Sequence, residues 1–242
     1  MKIASYNIRK ALGTDRRRDT ARVLSVLGGI DADVVLIQEA DLRLGPRPTA
    51  IPRFLIAQET DYRVADVAIN DVSLGWHGNA ILMRKGLTCA RTERLPLPGL
   101  EPRGAVLAEI DGLTFVGAHL GLMRRYRLLQ MTKIRDYLKG RESLALIGGD
   151  FNEWSDVRGY EPWERHFNLC LPGRSYHARR PVAALDGIAH GAGLKIAAMG
   201  VDTGPLARLA SDHLPIWADV ERVADQPRPC NPSAHAPSVN PT

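Results

Sequence analysis

The order of apolar and polar residues divides the chain into short segments that alternate between the period of a strand and that of a helix. Residues 2–8, "KIASYNI", predict a strand, and residues 19–30, "DTARVLSVLGGI", carry apolar side chains at helical spacing. Residues 32–40, "ADVVLIQEA", form a continuous apolar run that is typical of a strand buried on both faces. The chain is therefore predicted to open with a strand, a helix and a second strand.

The middle and the end of the chain are richer in strand patterns. Further segments with the period or the apolar character of strands are residues 79–84, 104–110, 113–120, 144–149, 194–201 and 214–221. Asp111 and Gly112 join two of them and are a strong hairpin signal, whereas residues 125–138 return to helical spacing. This mixture predicts an α/β fold in which helices pack outside large sheets.

Length and composition indicate one globular domain followed by a tail. A chain of 242 residues is compatible with one domain, because such domains reach about 200 to 250 residues. We predict that this domain covers residues 1–222. Residues 223–242 are rich in proline and poor in large apolar side chains, so they cannot bury enough surface to offset chain entropy. We expect this tail to be disordered.

Several classes of protein are disfavoured by the composition. The chain is 45% hydrophobic and 24% charged, as in ordinary globular proteins, and no apolar run is long enough for a predicted membrane span. The N-terminus becomes polar too early for a signal peptide, which predicts a cytoplasmic location. Cys89, Cys170 and Cys230 lie far apart, a spacing that supports neither a zinc cluster nor a disulfide framework, and we expect reduced thiols.

The net charge of +5 favours a polyanionic partner, but only weakly. Most of the cationic residues are arginines, whose guanidinium groups bind phosphate oxygens in a bidentate way. The alternative is that these arginines form an ordinary solvated surface. Composition alone does not decide between these two interpretations.

Polar side chains recur where the apolar runs end. This set comprises Asn7, Gln38, Glu39, His119, Asp150, Asn152, Asp186, Ser211, Asp212 and His213. Ligands of open sheets bind where strands terminate, since a rigid scaffold brings distant residues to one point there. Each residue also has a structural interpretation, because asparagine is common in turns, aspartate caps helices and a lone histidine is often structural. Only the ordered set favours a shared site.

The segment "LIGGDFNEW", residues 146–154, illustrates the pattern. An apolar strand runs through Gly148 and Gly149 into Asp150, and the amide of Asn152 follows two residues later. We expect the two glycines to let the backbone turn closely, because glycine lacks a Cβ atom. Asp150 and Asn152 would then point at the same phosphate group.

The motifs "QE", "AHL", "GDFN", "LD" and "SDH", in this order, resemble those of the endonuclease/exonuclease/phosphatase superfamily. The resemblance covers roughly residues 2–222, and "NIRKALGTDRRRD" and "ARRPVAALDGI" are most similar to small bacterial members with poorly defined substrates. It implies a four-layer α/β sandwich in which two mixed, mostly antiparallel sheets pack face to face with helices outside. It also implies a phosphoesterase that requires Mg²⁺ or Mn²⁺.

The resemblance further implies a role for each residue. Glu39 is the expected main metal ligand, Asn7 assists it, and Asp212 orients the site or holds a second metal, in agreement with the preference of magnesium for oxygen ligands. His213, with a pKa near neutrality, is expected to accept the proton of the attacking water. Asp186 would fix the tautomer of His213. The other expected roles are orientation or deprotonation of the water for Asp150, and hydrogen bonding to the phosphate for Asn152 and His119.

The chain departs from the superfamily pattern on the substrate side. Ala183 and Ala184 stand where an arginine often precedes the "LD" motif, so Asp186 is expected to lack that neighbour. Arg179 or Arg180 would compensate and contact the substrate.

The nature of the substrate is left open. Residues 16–18, together with Arg124, Arg125 and Arg127, either line a groove for a nucleic acid backbone or form solvated helix starts. These segments do not predict base stacking, since they lack a series of interleaved aromatic residues. The leading hypothesis is a phosphodiesterase that acts on DNA or RNA. The alternatives are a phosphomonoesterase, a phospholipid phosphodiesterase and a non-catalytic phosphate-binding or nucleic-acid-binding module, and the oligomeric state is undetermined.

Overall fold

The computed structural model of the chain describes residues 1–155 and 157–223. The strands are β1 (Lys2–Asn7), β2 (Val34–Gln38), β3 (Tyr62–Val64), β4 (Ala80–Arg84), β5 (Cys89–Leu97), β6 (Arg103–Ile110), β7 (Leu113–His119), β8 (Ala145–Asp150), β9 (Asn168–Cys170), β10 (Asp186–His190), β11 (Leu194–Val201) and β12 (Ile216–Arg222). The α-helices are α1 (Thr20–Ile30), α2 (Arg53–Glu59), α3 (Arg124–Tyr137) and α4 (Pro205–Ala210). Short 3₁₀ helices cover Arg9–Ala11 and Glu142–Leu144.

The strands form two mixed sheets of six strands each. The strand order is β11-β12-β1-β2-β4-β3 in the first sheet and β5-β6-β7-β8-β10-β9 in the second. In the first sheet only β1 and β2 pair in parallel, and in the second only β7 and β8 do. Both sheets are therefore mostly antiparallel, as predicted.

Three apolar clusters divide the molecule into four layers. One lies between the sheets and joins Ile3 and Leu36 of the first sheet to Phe115 of the second. A second cluster packs α1, α2 and α4 on the outer face of the first sheet, and the third packs α3 and Trp163 on the outer face of the second. The predicted sandwich with helices outside is confirmed.

The elements that the sequence pattern missed are mostly short or exposed. Helix α2 and the strands β3 and β9 span few residues, and β5 is an edge strand with many exposed side chains. Strand β10, although fully buried, has only five residues, "DGIAH". Such segments are too short for a period to stand out from the surrounding sequence.

Gly148 and Gly149 lie inside strand β8 and do not form a turn, contrary to expectation. A Cβ atom on Gly149 would lie 1.8 Å from the carbonyl oxygen of Ala118 in β7, and one on Gly148 would lie 2.7 Å from Leu36 in the facing sheet. The glycines therefore permit close approach of neighbouring strands and sheets. The chain turns later, at Asn152, where φ is 52°.

Three further expectations concern the described residues only in part. The predicted tail, residues 223–242, lies outside the described residues except for Val223. Cys89 and Cys170 are free cysteines, and Cys230 lies outside the described ranges. None of the helices within residues 1–155 and 157–223 has the length and apolar character that crossing a membrane requires.

Candidate active site

Strand register brings three of the predicted residues to one level of the second sheet. His119 ends β7 opposite Asp150 at the end of β8, and Asp150 pairs in turn with Asp186 at the start of β10. Residues in lateral register point to the same face of a sheet. Three adjacent strands therefore present an imidazole and two carboxylates side by side.

The first sheet contributes at the same end of the sandwich. Asn7 ends β1 in register with Gln38 at the end of β2, and the Nδ2 atom of Asn7 donates to Oδ2 of Asp150 at 3.0 Å. Gln38 is turned inward, where its side-chain amide nitrogen, Nε2, donates to Ser5 Oγ and to the carbonyl of Leu36. Asn7 thus links the two sheets directly at Asp150, while Gln38 serves the packing between strands.

Asp150 lies between two histidines. Its Oδ2 atom is 3.4 Å from Nε2 of His119 and 3.6 Å from Nε2 of His213. Its Oδ1 atom accepts the backbone N–H of Asn152 at 3.0 Å. The carboxylate is buried, and it is the group around which the other candidates are arranged.

His213 is held by Asp186, as the predicted roles require. Nδ1 of His213 is 2.8 Å from Oδ2 of Asp186, which directs Nε2 toward Asp150. The same Asp186 oxygen accepts the hydroxyl of Ser175 at 2.5 Å. Asp186 has no exposed surface, and its Oδ1 atom is buried without a hydrogen-bond partner.

Ser175, and not an arginine, is the hydrogen-bonded neighbour of Asp186 beside His213. Arg179, which we expected to compensate, donates instead to the carbonyl of Thr14 at 2.8 Å. Arg180 is exposed, and its backbone N–H donates to the carbonyl of His177. Among the described residues no arginine side chain hydrogen-bonds Asp186, so the expected compensation is wrong. Substrate contact by Arg179 and Arg180 stays a prediction.

The two histidines have opposite protonation behaviour. Burial opposes protonation of His213, but the carboxylates of Asp186, Asp150 and Asp212 outweigh burial and raise the pKa of His213 to about 9. For His119 burial dominates and lowers the pKa to about 3, although Asp150 lies beside it. At neutral pH His213 is therefore protonated and His119 is neutral. The expectation of a near-neutral pKa for His213 was wrong because it ignored these carboxylates.

Asn152 and Glu39 share a backbone feature. Both have positive φ angles, 52° and 54°, a conformation that non-glycine residues adopt rarely and that often marks functional sites. Asn152 Nδ2 donates one hydrogen to the carbonyl of Leu120 at 2.8 Å, which leaves its second N–H available for a ligand.

The predicted metal ligands face basic side chains. The ammonium group of Lys10 pairs with Glu39, and Nε of Arg9 lies 3.1 Å from Oδ2 of Asp212. Asn7 Oδ1 accepts the backbone N–H of Arg9 at 3.1 Å. The two basic residues that follow Ile8 therefore balance the two acidic ligands that the resemblance implies.

A second set of ligand atoms lies nearby. Asp150, Asp186 and His213 each offer one such atom, all within 4.8 Å of one another, and this group could hold a metal ion. The carboxylate and amide oxygens of both sets match the donors that Mg²⁺ and Mn²⁺ prefer. The chemistry of the donors thus fits a hard divalent cation.

A cavity of about 440 Å³ adjoins the His119 side of the site. Lys10, Glu39 and His119 belong both to its wall and to the candidate site. The rest of the wall includes Asp41, Arg43, Arg47, His77, Glu101 and Arg103. We refer to it as the basic cavity. Sequence reasoning missed Arg43, Arg47 and Arg103, since no motif distinguishes them from other surface arginines.

Aromatic side chains lie on the His213 side. The Tyr176 ring is 5.0 Å from the His213 ring, and the Trp154 ring is 5.9 Å from the Tyr176 ring. Trp154 is 62% exposed. The sequence pattern does not indicate this pair of aromatic residues, because they are far apart in the chain. We call Trp154 and Tyr176 the aromatic wall.

The arginines predicted to bind substrate after "AHLGL" have partners within the protein. Arg124 pairs with Glu161, and Arg125 stacks on the ring of Tyr126. Arg127 is buried and pairs with Glu153 at 2.8 Å. It lies neither in a groove nor on a solvated helix start, so both interpretations of Arg127 were wrong. Contact of Arg124 and Arg125 with a substrate remains a prediction.

Comparison with known proteins gives the family of the chain. The model of the Endonuclease/Exonuclease/phosphatase family matches residues 4–213. The uncharacterized protein YbhP of Escherichia coli (strain K12) is 24% identical over 247 residues, which cover 90% of this chain and 95% of YbhP.

Two solved structures are similar in fold. A mannosyl-6-phosphatase of Bacteroides thetaiotaomicron VPI-5482 superposes with a TM-score of 0.69 and 18% identity over 91% of this chain and 99% of that one. TDP2 of D. rerio, complexed with single-strand DNA product, has a TM-score of 0.68 and 17% identity over 91% and 98%. With nearly its whole length matched by the family model, the chain belongs to the endonuclease/exonuclease/phosphatase family.

Proposed function

We propose that the protein is a metal-dependent phosphodiesterase in which a water molecule attacks the phosphorus atom. Members of its family act on phosphate esters. The observation that carries the proposal is the chain of contacts from Asp186 through His213 to Asp150. It joins two carboxylates at the ends of two neighbouring strands to an imidazole from the segment between α4 and β12. Such a set can take up a proton and stabilise the charge that results.

The protein groups divide the work of hydrolysis among them. The attacking water forms a new P–O bond and passes its proton to Asp150, because His213 already carries a proton at neutral pH. The bond to the leaving oxygen breaks, and protonated His213 donates a proton to that oxygen. Asp186 orients His213 through Nδ1. His119 and the free N–H of Asn152 donate hydrogen bonds to the phosphoryl oxygens, where negative charge builds up.

Glu39, assisted by Asn7, is the ligand set that we favour for Mg²⁺ or Mn²⁺. Glu39 lines the basic cavity and is accessible from it. In the group of Asp150, Asp186 and His213, by contrast, the Asp186 and His213 atoms already bond one another. A bound divalent cation supplies Lewis-acid stabilisation of the phosphoryl group. Titration with Mn²⁺ of Glu39→Gln and Asp186→Asn distinguishes the two sets, since the variant that removes a ligand should bind more weakly.

A diester is favoured over a monoester because the site has space for two substituents. The basic cavity adjoins His119 on one side, and the exposed aromatic wall continues from His213 on the other. A monoester has only one group to place. Nucleic acid is one candidate, since exposed aromatic rings stack on bases, and TDP2 of D. rerio was solved with a single-strand DNA product.

Hydrolysis of plasmid DNA, bis(p-nitrophenyl) phosphate and p-nitrophenyl phosphate by the purified protein tests the proposal. We expect Mg²⁺- or Mn²⁺-dependent cleavage of the diesters that falls at least ~100-fold in Asp150→Asn and is abolished by EDTA. Asp61→Asn is the matched control, because the side chain of Asp61 is 76% exposed and its ion pair with Arg84 is 4.0 Å long.

Three other results of this assay would each change the proposal. Cleavage of the monoester alone would favour a phosphomonoesterase, as the mannosyl-6-phosphatase relative is named. Activity that persists in excess EDTA would refute the metal requirement. Absence of turnover with normal folding would favour the binding-module alternative.

A further inference from the structure

The basic cavity has the size and the position of a subsite for part of the substrate. Its volume, about 440 Å³, is within the range of pockets that bind small molecules. It opens onto the candidate site through the shared residues Lys10, Glu39 and His119. Three loops that are separated in sequence form the remaining walls, near residues 41–47, 77–78 and 101–103.

The acidic residues of the cavity already have partners within the protein. Glu39 pairs with Lys10, and Glu101 pairs with Arg103 at 2.8 Å. Asp41 is turned toward the backbone, where its two oxygens accept the N–H groups of Leu74 and Gly75 at 2.6 and 3.3 Å. Two of the three acidic groups therefore have cationic partners of their own, and only Asp41 keeps a charge that acts on Arg47.

Arg43 and Arg47 are the cations that remain. The guanidinium of Arg43 is 76% exposed, and its nearest acidic partner, Glu39, is 3.9 Å away and already bound by Lys10. Among the described residues no carboxylate lies within ion-pair distance of Arg47. The wall has four cationic side chains, Lys10, Arg43, Arg47 and Arg103, against three carboxylates, and the surplus charge lies at Arg43 and Arg47, the two cations without a close acidic partner.

Arg47 is held in position by a neutral partner. Its Nη1 atom lies 3.1 Å from Nδ1 of His77, which can accept that hydrogen bond only when the ring is neutral. Burial, together with the charges of Arg47 and Arg103, lowers the pKa of His77 and keeps it neutral. The remaining N–H groups of the Arg47 guanidinium stay available for a ligand.

From this geometry we propose that the basic cavity binds a second anionic group of the substrate, with Arg47 and Arg43 as its contacts. The substrate class is a phosphate ester that carries a second phosphate or a carboxylate a few bonds from the scissile phosphate. Guanidinium groups form strong charge-assisted hydrogen bonds with both anions, and a cleft focuses the field of its charges. This inference rests on the proposed function, because it assumes that the scissile phosphate lies beside Asp150 and His119.

Calorimetric titration in the presence of Mg²⁺ tests the proposal with three unreactive probes. Propylphosphonate has one anionic group, 4-phosphonobutyrate adds a carboxylate, and 1,3-propanediphosphonate adds a second phosphonate. We expect the second anion to strengthen binding about tenfold, as one or two charge-assisted hydrogen bonds do. Equal gains in affinity by 4-phosphonobutyrate and 1,3-propanediphosphonate would indicate a site for any anion. A gain in affinity by the diphosphonate alone would indicate a phosphate site.

Arg47→Gln and Arg43→Gln should each lose most of this gain, to less than about threefold. Chelation of Mg²⁺ by a probe does not depend on either arginine, so its contribution persists in the variants. Arg91→Gln is the matched control, because Arg91 lies in β5 near the opposite end of the second sheet and is 62% exposed. Thermal unfolding verifies that each variant is folded.

The results separate this inference from the proposed function. Equal binding of the three probes to the wild-type protein, or a gain retained in both arginine variants, would overturn the subsite, even if bis(p-nitrophenyl) phosphate is hydrolysed. Conversely, absence of hydrolysis of every ester together with arginine-dependent discrimination would support the anion site and reject the phosphodiesterase.

Discussion

On one side of Asp150, Ser175, Asp186 and His213 are buried and hydrogen-bonded to one another. On the other side, Arg43 and Arg47 border an open cavity and have few internal partners. We call these the buried side and the cavity side. Groups whose partners are all internal keep one geometry, as chemistry requires. Groups with unsatisfied bonds at a cavity are available for a ligand, so the cavity side is where selectivity is expected to reside.

The two sides differ most in the protonation of the two histidines that flank Asp150. His213 is on the buried side with a pKa raised to about 9 by carboxylates that outweigh its burial, and His119 adjoins the cavity with a pKa lowered by burial to about 3. We expect NMR of the metal-free protein between pH 5 and 10 to record His213 titrating near pH 9. His119 should stay neutral throughout.

Protonation of His213 also changes the stability of the fold with pH. Because the pKa of His213 is raised on folding, its protonation stabilises the fold fully below pH 6.5, and that contribution is lost as the pH rises through about 9. Asp150→Asn removes one of the responsible carboxylates and should lower the pKa of His213. If His119 and His213 both titrated near pH 6.5, the proposed difference between the buried side and the cavity side would be wrong.

Replacement of Asp186, the positioning residue of the buried side, should cause the largest loss of activity. Asp186→Asn leaves the shape of the side chain but removes the charge that orients and stabilises protonated His213, and we expect a loss on the order of 10³ in kcat. Ser175→Ala removes only one hydrogen bond to the same oxygen and should cost about tenfold.

The NMR signal of His213 distinguishes this role from a merely structural one. Its pKa should fall in Asp186→Asn and much less in Ser175→Ala. A normal kcat in Asp186→Asn would refute the assignment.

The strand that carries Asp150 offers a comparison of two adjacent glycines. Gly149→Ala brings a Cβ atom against the backbone of Ala118, which cannot move without displacing β7, and we expect a loss of about 3 kcal/mol in the free energy of unfolding. Gly148→Ala meets the tip of the Leu36 side chain, which can rotate, so about 1 kcal/mol is expected. Urea denaturation measures both. The reverse order would mean that packing between the sheets is tighter than packing within the second sheet.

The smallest expected effect concerns the edge of the cavity side. Lys10 pairs with Glu39, so Lys10→Gln should free that carboxylate and lower the half-saturating concentration of Mn²⁺ about threefold to tenfold, because a competing cation is removed. Lys195→Gln is the control, because Lys195 in β11 pairs with Glu221 in β12 and both side chains are exposed. Weaker Mn²⁺ binding in Lys10→Gln would instead indicate that Lys10 supports the ligand set.

The sequence was informative wherever a long pattern reflects a local requirement. Strand β2 was predicted from the continuous apolar run of residues 32–40, and α1 from apolar residues at helical spacing. In the structure all five residues of β2 are buried, and the side chain of Asp19 caps α1. Strand β10 escaped detection, although Asp186 at its start was recognised. Arg127 was misread because its carboxylate partner, Glu153, comes from another part of the chain, and a sequence pattern does not show such pairs.

The sequence by itself determined which residue types end the strands and in what order, and therefore the family and the fold. Only the tertiary structure decided which of those groups become neighbours. The pKa of His213 depends on three carboxylates, two of which lie well before it in the chain, and the surplus charge of Arg47 depends on acids that other loops have already paired. Electrostatic interactions depend on distance and burial, and both follow from how the sheets pack.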